Sequence, residues 1–263
     1  MKISELFVAR LYEGSLRPEY SKLSKDQFMK LLHSRCKNAL WMLEENKPLW
    51  RAGYASDIRA NKYSYVDSSA TERKSFATSN HYTSIFDNHP EMEDFPKRGR
   101  SFIGASDFDI AFRGYSGYNI DNVYAMIPYD DAKIGVVGEA DIWEITVDLF
   151  GVSEPLHVVN DEYFSALHGG SIEDFYDFDE SLKRPTEDHD IERLKRFKKI
   201  FPWGDPKKYL ESVFAAYSPK KTGFKWYYSS NLPKNLQHTE IWISGKMLIV
   251  IHDTWKKLIN GSI

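Results

Sequence analysis

Between Ser24 and Asn46 the apolar positions recur at helical spacing. Phe28, Leu31, Leu32, Cys36, Ala39, Leu40 and Leu43 fall near one face. Ser24 followed by Gln27 is a capping-box pair, and Lys47-Pro48 closes the segment. The pattern predicts one helix from Ser24 to Asn46. Pro48-Leu-Trp-Arg-Ala-Gly-Tyr54 reads as a short strand entering a turn, and the polar, serine-rich run 55–79 reads as a long loop. A second helix is expected over Asn80 to Asn88, with Asn80 as its cap and Pro90 beyond its end. Phe95 to Ser101 reads as a basic turn, Ser101 to Ser106 as a strand and Asp107 to Phe112 as a helical turn. Val123–Ile127, stopped by Pro128, and Lys133–Val137 read as strands, whereas Ala140–Phe150 fits neither period. Near the end, Phe224–Tyr228 and Glu240–Ile251 are strand-like, and Gly245 is expected to turn a hairpin between Ile241–Ile243 and Met247–Ile251.

Composition narrows the class. The chain has 263 residues, 42% hydrophobic and 15% aromatic, with a formal net charge of −3. Such values fit a soluble globular protein with a sizeable core and exclude collagen-like, coiled-coil and disordered chains. No apolar run approaches the roughly 18 residues of a membrane span. The start, MKISELFVARLYEG, has no long apolar stretch and does not read as a secretory signal. The single cysteine, Cys36, makes a disulfide framework or a cysteine-built zinc site impossible. It sits among apolar residues and reads as a small buried hydrophobe. A cytoplasmic location is expected.

Charge is unevenly placed. Residues 161–192 carry eleven carboxylates against Lys183 and Arg184, and residues 193–225 carry ten cations against Asp205 and Glu211. The two blocks can pair with each other. In the second, the cations alternate with Phe197, Phe201, Trp203, Tyr209, Phe214, Tyr217 and Phe224, and Trp226 follows. That mixture is used on single-stranded nucleic acid, but it better describes an amphipathic helix over Asp190–Ile200 with core aromatics and solvated lysines.

The common phosphate-loop, dinucleotide-binding, zinc-protease and nucleophile-elbow motifs are missing from the sequence. What stands out is a spaced set: Arg51 at a strand end, Ser101 at the head of a second strand, Glu240 at the start of a third. With Leu49-Trp50-Arg51-Ala52-Gly53, then Arg100-Ser101-Phe102-Ile103-Gly104-Ala105-Ser106, then Gln237-His238-Thr239-Glu240-Ile241-Trp242-Ile243-Ser244-Gly245, the chain resembles the mono-ADP-ribosyltransferase family, toxin-like enzymes with an Arg–Ser–Glu triad. The resemblance runs from about residue 25 to 252 as short motifs. Asn80-His-Tyr-Thr83 and the segment from Pro96 to Ser101 also look like phage-borne and toxin-system members.

The resemblance implies an α+β fold, a split antiparallel β-sandwich core with N-terminal helices, in one domain over 1–263 with a charged irregular insertion at about 161–200. It implies transfer of ADP-ribose from NAD to a macromolecule, either nucleic acid such as RNA or DNA or a protein side chain, without a metal. A carboxylate holding the ribose 2′-hydroxyl stabilises the oxocarbenium character that develops as the nicotinamide leaves, which is the role of Glu240. Ser101 would orient that carboxylate, and Arg51 would offer its fork of donors to the cofactor. The backbone at Ala52 or Gly53 would hold the nicotinamide amide, and Phe102, Phe112 or Tyr115 would stack on its ring. Ala52 stands where many members have glycine. Ser101 and Ser106 are alternative counterparts of the strand serine, and alternation puts them on opposite faces. His238 stands where arginine-modifying members carry Glu or Gln, so it would position another acceptor or act as a base. A toxin, an antiphage effector or a phage takeover factor is the setting the family implies, with an inhibitory antitoxin as partner. The alternatives are NAD hydrolysis by the same triad and a non-catalytic nucleic-acid-binding module on the same fold.

Overall fold

The computed structural model describes residues 20–52, 61–70, 80–115, 119–139, 141–149, 152–157, 211–212 and 214–261. Gly53, all of 161–192 and most of 193–225 lie outside these residues, as does the side chain of Tyr115. The chain is mixed α and β, and its backbone contacts divide it into two units.

One unit, residues 15–73, 94–141 and 224–263, holds a nine-stranded sheet. In chain order its strands are β1 (Ser21–Lys22), β2 (Leu49–Ala52), β3 (Tyr63–Asp67), β4 (Phe102–Ala105), β5 (Val123–Pro128) and β6 (Lys133–Val136). Two strands assigned to the other unit, β7 (Thr146–Leu149) and β8 (Val152–Pro155), precede β9 (Lys225–Tyr228), β10 (Glu240–Ser244) and β11 (Lys246–Ile251). The sheet runs β1-β3-β11-β5-β2-β4-β10-β6-β9, with every neighbouring pair antiparallel. Its weakest join is β2 to β4, where one registered pair, Trp50 opposite Ala105, links a five-stranded half to a four-stranded half.

The sheet curls at that join. Tyr20, beside β1, meets the Phe102 ring of β4 edge-on with centroids 6.1 Å apart. Five strand spacings in a flat sheet would separate them by about 24 Å. Cross-strand partners share a face, so the pairing registers assign each residue to the inside or the outside of the curl. Val66, Met126, Met247 and Ile249 from one half, and Phe102, Ile241, Ile243 and Ile134 from the other, share the inner face and are almost fully buried. Ser68 ties the halves further, donating from Oγ to the carbonyl oxygen of Ile243 at 3.1 Å and accepting from Gly245 N at 2.8 Å.

Two helices cover the outer face of the larger half. Helix α1 (Lys25–Arg35) starts with the expected capping box of Ser24 and Gln27 and sets Phe28 against Tyr63, 4.8 Å between centroids. Helix α2 (His252–Ile259) sets Trp255 against Trp50, 6.4 Å between centroids.

Three expectations need correction. The helix expected to reach Asn46 stops at Arg35, because the Arg35 carbonyl accepts from Asp130 N at 2.8 Å and the Asn38 N–H donates to the Asp130 carboxylate at 2.8 Å. The segment continues as short turns, Lys37–Ala39 and Trp41–Glu44. Strand β3 lies inside the stretch read as a loop. It is sandwiched between β1 and β11 and buries Tyr63, Ser64 and Val66, so its burial does not alternate. Finally, β10 and β11 form no hairpin. β10 pairs with β4 and β6, whereas β11 pairs with β3 and β5. Since β4 and β5 both run antiparallel to β2, β10 and β11 run in the same direction. Gly245, at φ +118, carries the chain from one half of the sheet to the other without reversing it.

The other unit includes described residues 80–93, 142–149, 152–157, 211–212 and 214–223. It holds the expected helix Asn80–Asn88 and the β7–β8 hairpin, which resolves the ambiguous stretch after Ala140. Phe86 packs edge-on against Tyr217 at 5.0 Å, and His89 stacks on Phe214 at 4.7 Å. No helix among the described residues is long and apolar enough to cross a membrane.

The curl depends on Gly104, where an added Cβ would lie 2.3 Å from the Trp50 carbonyl oxygen and 2.4 Å from Met126 Cε. Gly104→Ala should therefore destabilise the fold by about 2 kcal/mol or more, read from urea unfolding. A pH effect follows from His252, buried against Phe108 and Trp50. Burial, then the Lys256 charge, holds its imidazole below the ordinary value, while Asp253 opposes them. The neutral form is thus the one the fold favours. Its contribution is present above the ordinary imidazole value, about 6.5, and is lost as pH falls through the lower folded value. His252→Gln should flatten the fall in Tm between pH 7 and pH 5 relative to wild type.

Candidate functional site

The three strands carrying the family-like motifs, β2, β4 and β10, lie side by side. Ala125, Trp50, Ala105 and Glu240 form one row across β5, β2, β4 and β10, so Glu240 is on the outer face of the curl with Trp50. Arg51 follows Trp50 in an extended strand and points to the inner face. Its Nη1 donates to the Ile103 carbonyl oxygen, its guanidinium lies 5.0 Å over the Phe102 ring, and its Nε is buried without a partner. Arg51 and Glu240 are therefore near neighbours in the sheet but on opposite faces of it.

The serines divide in the same way. Ser101, extended at φ −123 and ψ 150, shares the outer face with Ile103, Ala105 and Glu240. It lies four residues along the strand from Ala105, about 13 Å away, and its Oγ donates to the Lys97 carbonyl oxygen at 2.7 Å. Ser106 is beside the start of β10 but on the inner face. Its N–H donates to the Thr239 carbonyl oxygen at 2.9 Å, and its Oγ accepts from Thr239 N at 3.1 Å while donating to the Asp107 carboxylate at 2.6 Å. That carboxylate also accepts from His238 N–H. This bond fastens an exposed His238 whose φ of 51 is unusual for a residue other than glycine. Ser106 and Asp107 thus clamp the backbone two residues before Glu240.

Glu240 itself is 1% exposed. Its Oε1 accepts from Trp242 Nε1 at 2.6 Å and lies 3.9 Å from Arg98 Nη2. Arg98 is 6% exposed, so the stretch that reads as a basic surface turn contributes a buried cation. An unpaired buried carboxylate is costly, and removing one partner of such a pair typically costs about 3–5 kcal/mol. The sequence signal for Trp242 is its position two after Glu240 in a strand, which puts both on one face. Arg98 has no local signal, because its meeting with Glu240 depends on tertiary packing.

Phe102 is nearly fully buried, with the Arg51 guanidinium over its ring and Tyr20 in a T-shaped contact with it. Phe112 stacks on Phe108 at 5.6 Å. Ala52 ends β2, half-buried opposite Val123. At the end of the sheet, a cleft of about 140 Å³ is lined by Leu49, Ser106, Asp107, Lys234 and Gln237 among others. A larger one, about 580 Å³, lies against Tyr65, Tyr129 and Asp130, on the five-stranded half of the sheet. Cys36 is buried behind it, and burial, with Asp130 and Asp131 nearby, pushes its thiol up to about 12, which makes it a poor nucleophile at neutral pH. No group of His, Cys, Asp and Glu side chains suited to a metal ion occurs among the described residues.

No family model matches the chain, and neither a curated protein nor a solved structure matches it.

The two serines should separate by stability. Ser106→Ala removes both an acceptor for the β10 backbone and a donor to Asp107, and should cost about 1–3 kcal/mol. Ser101→Ala loses one bond to a carbonyl and should cost about 1 kcal/mol. Urea unfolding of both variants measures the difference.

Proposed function

We propose that this protein transfers ADP-ribose from NAD to a macromolecule, with Glu240 as the catalytic carboxylate. The observation that carries the reading is a buried, hydrogen-bonded carboxylate at the start of β10, on the strand next to β4 and two from β2, the strands that hold the other motif residues. A buried ionisable group held by named donors is a feature of functional sites more than of stability.

In this reading the bond between the ribose C1′ and the nicotinamide nitrogen breaks, and nicotinamide leaves with the electron pair. An oxygen or nitrogen of the acceptor bonds to C1′ and releases its proton to solvent or to His238. Glu240 accepts a hydrogen bond from the ribose 2′-hydroxyl and offsets the charge that builds at C1′. Arg51 has an Nε donor to spare but faces the inner side. To meet the diphosphate of NAD it leaves Phe102 and the Ile103 carbonyl, at the sheet's weakest join.

A nucleic-acid acceptor is favoured by the surface two strands away. Trp226 pairs across Gly135 with Trp242, and Tyr228 across Lys133 with Ser244, so both aromatics share the outer face with Glu240. The Lys133 ammonium lies 4.9 Å over the Trp226 ring, and Tyr228 is 44% exposed. Cations beside aromatic rings suit stacked bases and a phosphate backbone. The same surface supports a second reading, a nucleic-acid binder without transferase activity.

Incubation with NAD labelled in its adenylate part, in a cell lysate, tests the proposal. Wild type should release nicotinamide and label a macromolecule, and Glu240→Gln should reduce both by about a hundredfold or more. Label resistant to protease and lost to nuclease identifies a nucleic-acid acceptor, and the reverse identifies a protein. Nicotinamide release without macromolecular label means hydrolysis. No release by wild type, together with salt-sensitive binding of single-stranded nucleic acid, would replace the proposal by the binding module.

A further inference from the structure

Glu240 reaches neither serine that the sequence offers as its orienter. Ser106 is on the other face, and Ser101 is about 13 Å along the strand, bonded to Lys97. Among the described residues, Trp242 and Arg98 meet the carboxylate and belong to a stack of side chains. Trp242 Nε1 donates to Oε1 at 2.6 Å, and Arg98 Nη2 is 3.9 Å from the same oxygen. The Arg98 guanidinium lies 5.5 Å from the centroid of the Trp242 ring. Phe224 packs on the same indole at 4.5 Å, and Phe95 packs on Phe224 at 5.3 Å. Phe224 sits where a Cβ on Gly135 would be, 2.5 Å from its Cζ, so the glycine opposite Trp242 makes room for the stack. Trp242 is 1% exposed, so its N–H has no solvent to turn to.

We propose that Trp242 and Arg98 are the positioning residues of Glu240, holding its carboxylate charged and in one rotamer, the task that the family resemblance gives to a serine. The inference rests on Glu240 being the transferase carboxylate. The physical need is general: a carboxylate taken out of water keeps its charge only when donors replace the lost hydration. A buried indole packed against the Phe224 ring supplies one donor without reorganisation, and the guanidinium supplies the compensating charge. Both act through Glu240 and need no contact with substrate.

The test joins a structural and a kinetic readout. In protein labelled with ¹⁵N at indole nitrogens, the resonance missing from Trp242→Phe identifies Trp242. Its proton should lie downfield of the other indole protons in wild type and move upfield in Glu240→Gln, where the acceptor is neutral. In the NAD-cleavage assay, Trp242→Phe should lower kcat about 10- to 100-fold with KM for NAD within about twofold, since one charge-assisted hydrogen bond is lost. Arg98→Gln should do the same, and Arg98→Lys should restore much of the rate. An indole resonance unmoved in Glu240→Gln, or an unchanged kcat in Trp242→Phe, overturns the proposal. Glu240→Gln keeps size and shape, so where Trp242→Phe does not fold the spectroscopic arm reads the most downfield indole proton of wild type, which should move upfield in Glu240→Gln, and an unmoved one overturns the proposal. Wild type that cleaves no NAD but shows the indole shift overturns the transferase reading and the catalytic role with it, while the clamp itself is upheld.

Discussion

The close approach of Gly104 to the Trp50 carbonyl is the constraint on which the rest of the molecule turns. With no side chain on Gly104, β4 comes against β2 and the sheet bends sharply there, held by one registered pair. The bend brings the two halves face to face and creates the apolar interior between them. It also sorts the chemistry. Residues one apart on β2 are sent to opposite sides: Trp50 outward to the packing of Phe108, Trp255 and His252, and Arg51 inward over Phe102. A larger residue at position 104 would widen this join and alter both faces at once.

The strand that carries the carboxylate is held on both of its edges. β10 is an interior strand, bonded on one side to β4 and on the other to β6. The Glu240 N–H donates to the Glu139 carbonyl oxygen at 2.8 Å, and its own carbonyl accepts from Val137 N at 3.0 Å. Immediately before it, Ser106 and Asp107 hold Thr239 and His238. A backbone tied on both sides leaves the Glu240 side chain only its own torsions, and Trp242 and Arg98 restrict those.

Much of this is legible in the sequence because it is local. The capping box at Ser24, the apolar runs of β4, β5, β6 and β10, and the helix at Asn80–Asn88 follow from short patterns of residue type. The failures are non-local. Gly245 carries the signal of a hairpin turn, and only the pairing partners of β10 and β11 reveal that the chain continues in one direction. α1 ends where Asp130, nearly a hundred residues away, captures its last carbonyl. Tyr63–Asp67 lacks alternation because neighbours on both edges and packing on both faces bury it. The candidate site divides along the same line. Glu240 and its strand context are legible, and Trp242 follows from the two-residue period, whereas Arg98 lies far away in sequence and looks like a surface cation.

The motif residues are divided between two faces of the sheet. Glu240 is sequestered on the outer side, and Arg51 is held on the inner side by a ring and a carbonyl. The strands that carry them, β2 and β10, flank β4, where the two halves of the sheet meet. The hydrogen bonding is thinnest at the same place, so movement there disturbs the fewest bonds. The other pairings in the sheet have two to five registered pairs, whereas β2 and β4 have one. A join of that kind supplies fewer backbone bonds than any other pairing in the sheet.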